Sequence, residues 1–384
     1  MTRSSETRST GGAVRWLSVI GTRPQYVKLA PICRAIAGHN ENADGPRIEH
    51  KIVDTGQHYD REMAELPIEQ MKLPTPGHNL NVGSCSAGTQ LARMLERLEP
   101  VLISERPDWV IVYGDTNSTL AGALMAARLK LSLAHVEAGC RSADMSMPEE
   151  QSRLVADHLS RLLLAPSLNA LENLLREGIG GPEDPRKRRA ALVGDVMHDA
   201  MIQNLEIAAE RAEAVLTEFG LKSRGYYLMT LHRAENTDSP AKLRAIIQAV
   251  GILELPILFP VHPRTTQAIA SAGISVNGVI RPVAPQGYIE MLVLEKHAKK
   301  ILTDSGGVQK EAFYLQVPCV TLRDRSEWPE TVACGANRIA GSSADEIRLA
   351  VSAEDQISWN NAAPYGHGNA AQKIVAELLN TAGF

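Results

Sequence analysis

Three carboxylates stand where buried strands should end. Asp115 follows Trp109-Val110-Ile111-Val112-Tyr113-Gly114, Glu137 follows Leu133-Ala134-His135-Val136, and Glu149 opens a helix in Pro148-Glu149-Glu150. Acidic residues after buried strands often serve as helix caps, and Glu149 fits that role. Glu137 fits it poorly, because a charge directly after an apolar run is costly without a reason. Three carboxylates converging on one cleft would raise one another's pKa, which suits proton transfer near neutral pH. Arg153 lies four residues beyond Glu149 on the same helix face, where it can pair with Glu149 or bind substrate.

A second chemistry sits in Ile301-Leu302-Thr303-Asp304-Ser305-Gly306-Gly307-Val308-Gln309-Lys310-Glu311. A buried strand runs into Ser305, Gly306 and Gly307, and a helix starts there. Free amides at a helix start, with no glycine side chain in the way, form an anion site suited to phosphate. Glu311 lies five residues on, about 7 Å along the axis at ~1.5 Å per residue. That matches the reach from a pyrophosphate to the adjacent ribose diol, which a carboxylate binds through paired hydrogen bonds. Arg23 and Lys28, in and after Gly21-Thr22-Arg23-Pro24, place two cations beyond the first strand, where they can meet a diphosphate. His232 ends a strand in Thr230-Leu231-His232-Arg233 and is placed to donate to phosphate or act as an acid. His262, in Pro260-Val261-His262-Pro263, holds a similar place but reads as structural.

These residues need a scaffold with many strand ends on one side. The chain has 384 residues, more than one ordinary core serves, so two domains are expected. Short apolar runs alternate with helical patterns from Val14 to Ala165 and again from Tyr226 to Leu322. That rhythm is an α/β class with two doubly wound parallel sheets facing across a cleft. Helices are expected at Tyr26 to Ala37, Ala87 to Ser104, Leu120 to Leu129 and Glu149 to Leu159, and Val276 to Ile280 reads as a strand. Gly180 to Arg189, with two prolines and four consecutive basic residues, reads as a solvated linker. The expected division is a tail over 1–13, a first domain over 14–188 plus 368–384, and a second over 189–367. Ala370 to Leu379 reads as a closing amphipathic helix.

Composition narrows the partners. Net charge is −4 and aromatics are 4%, which argues against a nucleic-acid surface. No apolar run approaches the ~20 residues of a membrane span. The tail is rich in Ser, Thr and Arg without a secretory apolar stretch, so cytoplasmic localisation is expected. Cys33, Cys85, Cys140, Cys319 and Cys334 have no metal-ligand spacing and read as reduced thiols.

Taken together, these residues resemble the non-hydrolysing UDP-N-acetylglucosamine 2-epimerase family. The carriers are Gly21-Thr22-Arg23-Pro24, Thr55-Gly56-Gln57-His58, Gly114-Asp115-Thr116, His135-Val136-Glu137-Ala138-Gly139, Pro148-Glu149-Glu150, Gly194-Asp195-Val196, His232-Arg233 and Thr303-Asp304-Ser305-Gly306-Gly307. The resemblance implies a glycosyltransferase-B-type fold whose last helix returns to the first domain. It also implies inversion at carbon 2 of a UDP-sugar, with no redox cofactor and no metal. UDP is eliminated as the carbon-2 proton leaves, a glycal forms, and UDP adds back. By similarity Asp115, Glu137 and Glu149 transfer protons and stabilise the ring. Arg23, His232, Ser305 and Gly306 hold the diphosphate, Glu311 holds the ribose, and Lys28 and Arg153 complete the site. The resemblance further implies a homodimer serving polysaccharide or aminosugar biosynthesis.

Two departures stand out. Many relatives read Glu-Arg-Pro-Glu where this chain reads Glu327-Trp328-Pro329-Glu330, and a Glu-Trp pair resembles the branch acting on UDP-diacetamido-uronic acids. The Gln-His-Arg-Gln stretch that helps bind an activating UDP-sugar in some members is Gln57-His58-Tyr59-Asp60, so weak or absent activation is expected. The rival readings are a hydrolysing epimerase releasing N-acetylmannosamine and UDP, and a glycosyltransferase or nucleotide-sugar binder on the same fold.

Overall fold

The computed structural model describes residues 13–42, 45–56, 71–276, 278–359 and 363–381. The expected tail, apart from residue 13, and the Gln57-His58-Tyr59-Asp60 stretch lie outside the described residues. The chain divides into two units, residues 1–200 with 365–384, and residues 201–364.

The first unit is built on seven strands: β1 (Val14–Ile20), β2 (Ile48–Asp54), β3 (His78–Asn79), β4 (Trp109–Tyr113), β5 (Leu133–Val136), β6 (Leu162–Ala165) and β7 (Arg189–Leu192). They pair in parallel in the order β3-β2-β1-β4-β5-β6-β7. Both faces are buried, so β1 is apolar almost throughout. Trp16 and Ile20 enter one core with Trp109, Ile111 and Tyr113, while Leu17 and Val19 enter the other with Val110 and Val112. Each such side chain contributes about 1.5–3 kcal/mol on burial. Ser18, the fully buried polar residue of β1, lies 2.7 Å from the Tyr113 hydroxyl and 2.8 Å from His50 Nε2, so its hydroxyl is satisfied.

The chain order reverses between β1 and β4, and open sheets of this type bind ligands beyond the strand ends at that point. Gly21 and Gly114 follow those two strands.

The second unit has six strands: β8 (Tyr227–Thr230), β9 (Ile257–Pro260), β10 (Ile280–Val283), β11 (Lys300–Thr303), β12 (Cys319–Thr321) and β13 (Asn337–Ile339). The order is β10-β9-β8-β11-β12-β13, again parallel, with the reversal between β8 and β11. His232 and Asp304 follow those two strands. The strand expected at Val276 to Ile280 is instead Ile280–Val283, because pairing with β9 begins at Ile280, opposite Ile257.

The division differs from the boundaries expected at 188/189 and 367/368. Gly180 to Arg189 folds into the first unit: the Asp184 carboxylate accepts from the Gly180 and Arg186 amides and from the Arg188 guanidinium. Arg189–Leu192 then pairs with β6 along its whole length. The helix Val196–Glu218, absent from the sequence reading, carries the chain out, and the chain re-enters the first unit at Tyr365. The closing helix Ala370–Thr381 sends Ile374, Val375 and Leu378 into the core that holds Leu29 and Ile32. Asp199 accepts from the Ala370 and Ala371 amides at 3.1 and 2.8 Å and so caps that helix.

Candidate active site

In the first unit the turns after β4 and β5 are left-handed. Gly114 has φ 62°, Glu137 φ 71° and Gly139 φ 82°. A non-glycine residue rarely occupies that region, and holding one there costs about 1–3 kcal/mol. The Gly114 amide donates to the Val136 carbonyl, and the Glu137 and Ala138 amides donate to the Leu164 carbonyl. The strained carboxylate is thus fixed by the neighbouring strand ends.

Lys28 is brought to Glu137, with Nζ 2.6 Å from Oε1 and both side chains 9% exposed. It comes from the helix Arg23–Asn42, which begins just beyond β1. The φ of Gly114 favours glycine, and a Cβ there would lie 2.7 Å from Lys28 Nζ and 3.3 Å from Glu137 Oε1, pushing on the ends of the paired side chains. Arg153, on the helix Pro148–Leu159, lies 3.4 Å from Asp115 and 3.3 Å from Glu150. Glu150 is buried and accepts from the Ser142 amide and hydroxyl and the Ala143 amide, all at 3.0 Å. Glu149 is half-buried in the first turn of that helix. Arg23 is half-buried at the start of its own helix, after a turn held by Gln25, which accepts from the Gly21 amide at 2.9 Å and donates to the Tyr113 carbonyl at 3.0 Å.

The second unit gathers His232, Ser305, Gly306, Gly307 and Glu311 around the ends of β8 and β11. The buried Asp304 carboxylate organises them: it accepts from the His232 and Arg233 amides and the Asn236 amide group, and lies 3.3 Å from His232 Nδ1. Ser305 caps the helix Gly306–Tyr314 by accepting from the Val308 amide. The two glycines differ in purpose. A Cβ at Gly306 would lie 3.2 Å from Trp328 Nε1 and 3.7 Å from Glu327, whereas at Gly307 it would meet only Ser305 Oγ at 3.8 Å. Gly307 therefore leaves the amides approachable, and Gly306 makes room for packing. Glu311 is buried further along the same helix.

Trp328 is buried, and Lys310 Nζ stands 4.0 Å over its ring, a cation–π contact. Glu327 is paired at 2.9 Å with Arg323, which also pairs with Glu235. Burial pulls the Arg323 guanidinium pKa down, but the two carboxylates outweigh it and raise the net value. His262 accepts from the Arg264 amide at Nδ1 and caps the helix Pro263–Ser271, in keeping with a structural role.

Sequence reasoning missed Glu150, Gln25 and Asp304 as supports, and missed the pairing of His135 with Asp157 beneath the left-handed turns. Glu150 and Asp304 lay inside the quoted motifs, but nothing in a linear reading says which of two adjacent acids turns inward. No group of His, Cys, Asp and Glu among the described residues has metal-binding geometry. No helix among them is long and apolar enough to cross a membrane.

A family model described as UDP-N-acetylglucosamine 2-epimerase matches residues 40–379. The UDP-N-acetylglucosamine 2-epimerase of Methanocaldococcus jannaschii is 43% identical over 372 residues, covering 94% of this chain and 97% of that protein. Its crystal structure in complex with UDP-GlcNAc and UDP superposes with a TM-score of 0.87 and 42% identity, covering 96% of this chain and all of that one. The UDP-2,3-diacetamido-2,3-dideoxy-D-glucuronate 2-epimerase of Pseudomonas aeruginosa is 40% identical over 368 residues, 94% of this chain and 98% of that protein. Phytolacca americana UGT2, complexed with UDP-2fluoro-glucose and pterostilbene, is similar in fold alone, with a TM-score of 0.57 at 12% identity over 97% of this chain and all of that one.

Proposed function

From the fact that this chain belongs to the UDP-N-acetylglucosamine 2-epimerase family, we propose that it is an isomerase interconverting UDP-GlcNAc and UDP-ManNAc. The observation that carries the residue assignment is the pairing of two strand-end carboxylates with separate cations, Lys28 with Glu137 and Arg153 with Asp115. A nucleotide-binding protein has no use for such pairs at the ends of β4 and β5. An epimerase has.

The carbon-2 proton of a hexosamine is scarcely acidic. It becomes removable as departing UDP leaves the ring oxocarbenium-like. Ionised carboxylates must then stand by carbon 2 and by the developing cation. Lys28 and Arg153 set a positive charge against Glu137 and Asp115, and Glu149 completes the proton-transferring set. Lys28 thus acts on the carboxylate in preference to gripping phosphate. The second unit takes the nucleotide: Arg233, next to His232, has its amide tied to Asp304, and His232, Ser305, Gly306 and Gly307 receive the diphosphate. Glu311 takes the ribose diol. UDP leaves as carbon 2 is deprotonated, and its return with reprotonation from the other face completes the inversion. No cofactor enters this scheme.

A second reading is favoured by Trp328 and by the Pseudomonas relative: the same chemistry on a UDP-diacetamido-uronic acid. Offering both UDP-sugars to the protein separates the two. Asp115→Asn and Glu137→Gln are expected to abolish turnover while UDP still binds by calorimetry. A collapse of UDP affinity in either variant would overturn the division of roles. A homodimer in the cytoplasm completes the proposal, tested by light scattering and cell fractionation.

A further inference from the structure

His135 lies in the middle of an otherwise apolar strand and is fully buried. Nε2 lies 2.7 Å from the Gly114 carbonyl, and Nδ1 lies 2.7 Å from Asp157 Oδ1. A carbonyl only accepts, so Nε2 carries a proton. The other Asp157 oxygen accepts from the Gly139 amide at 3.1 Å and from Arg141 Nη1 at 2.7 Å. Arg141 is itself anchored by a two-point ion pair with Glu177, at 2.8 and 2.7 Å. Burial pushes the Asp157 carboxyl up, but His135 and Arg141 outweigh it and hold it below its ordinary value. Both ring nitrogens of His135 are thus engaged, one by a carbonyl and one by a carboxylate.

The grip points matter. Gly114 immediately precedes Asp115, and Gly139 follows Glu137 by two residues. Both glycines are left-handed, and so is Glu137. One buried histidine–carboxylate pair thus ties down the turn under each of two acids that the proposed reaction uses. None of its atoms is at the surface.

We propose that His135 and Asp157, backed by Arg141, are positioning residues that hold Asp115 and Glu137 in register for carbon-2 proton transfer; this rests on the proposed function. Asp157→Asn is the decisive change. Asn can turn its oxygen to the Gly139 amide and Arg141 and its NH2 to Nδ1 of a neutral His135, but the carboxylate charge that Arg141 and His135 close on is gone. The turns lose their charged anchor while the sheet keeps its apolar core.

The test uses full-length Asp157→Asn beside the parent protein. We expect kcat for epimerisation to fall about tenfold to a hundredfold, the loss that a small misplacement of reacting groups brings. KM and UDP affinity stay within about twofold. The primary isotope effect with substrate deuterated at carbon 2 rises, because proton removal becomes limiting. Loss of folded protein alone would lower the rate and leave the isotope effect unchanged, and that result would overturn the inference. Amide hydrogen exchange gives a reading free of catalysis: peptides covering residues 113–116 and 137–141 should exchange faster in the variant while those of β1 and β4 stay protected. Unchanged or globally raised exchange would overturn the inference even if the parent proved inactive. An inactive parent would count against the proposed function instead.

Discussion

Replacing Lys28 by methionine keeps the length of the side chain and removes the partner of Glu137. The pair is 2.6 Å apart with both side chains 9% exposed. At an effective dielectric of about 20 the gross attraction is roughly 6 kcal/mol, much of it offset by the desolvation of both ions. Deleting the ammonium takes that attraction from a buried carboxylate, a loss of about 3–5 kcal/mol. Protonation of Glu137 recovers part of it, since burial disfavours the charged form once Lys28 is gone. Two results follow. The urea midpoint, read by the fluorescence of tryptophans that include the buried Trp16 and Trp109, should drop by an amount equivalent to about 3 kcal/mol. The acid limb of kcat/KM should move to higher pH, because more alkali is needed to ionise Glu137. Lys28→Met combined with Glu137→Gln removes both charges and should regain much of the stability without regaining activity. A double variant no more stable than Lys28→Met, or a single-variant loss under about 1 kcal/mol, would mean that the pair behaves as an exposed one and would refute the reasoning.

Gly114→Ala places a methyl carbon against Lys28 Nζ at φ 62°, so a stability loss of about 1–3 kcal/mol and near-complete inactivity are expected from melting curves and rate assays. Glu311→Gln should weaken UDP binding about tenfold by calorimetry, the worth of one charge-assisted hydrogen bond, with little change in the protein's melting temperature. Asp184 tests a purely structural carboxylate. Burial raises its pKa, but the Arg188 guanidinium and the Gly180 and Arg186 amides lower it from 3.8 to about 2. Its contribution, about 2 kcal/mol, is therefore complete above the unfolded value and is lost as pH falls through the folded one. Asp184→Asn should be less stable near neutrality and show a flatter acid limb below about pH 4, measured by unfolding at graded pH.

Much of this arrangement was legible because parallel sheets write their switch points into the sequence. Buried runs such as Trp109–Tyr113 and Lys300–Thr303 end abruptly in glycine or acid, and the residues proposed for the chemistry follow those ends. Other features were not legible, for physical reasons. Arg189–Leu192 has no β-branched or aromatic residue to mark it as a strand, and its pairing with β6 makes it one. The run of basic residues before it suggested a solvated linker, yet Arg188 closes on Asp184. The choice of Glu150 over its neighbour as the acceptor of Ser142 depends on where the helix Pro148–Leu159 faces. His135 and Asp157 are 22 residues apart, and only the folded packing of that helix against β5 brings them to hydrogen-bonding distance.

The central claim is that strand-end acids of the first unit exchange one hydrogen at carbon 2 of a UDP-sugar. Incubation with UDP-GlcNAc in deuterated water, followed by NMR, tests it most directly. The account predicts UDP-ManNAc bearing deuterium at carbon 2, with the nucleotide still attached and no labelling by Glu137→Gln. Epimer formed without deuterium, or free N-acetylmannosamine in place of the UDP-sugar, would contradict it.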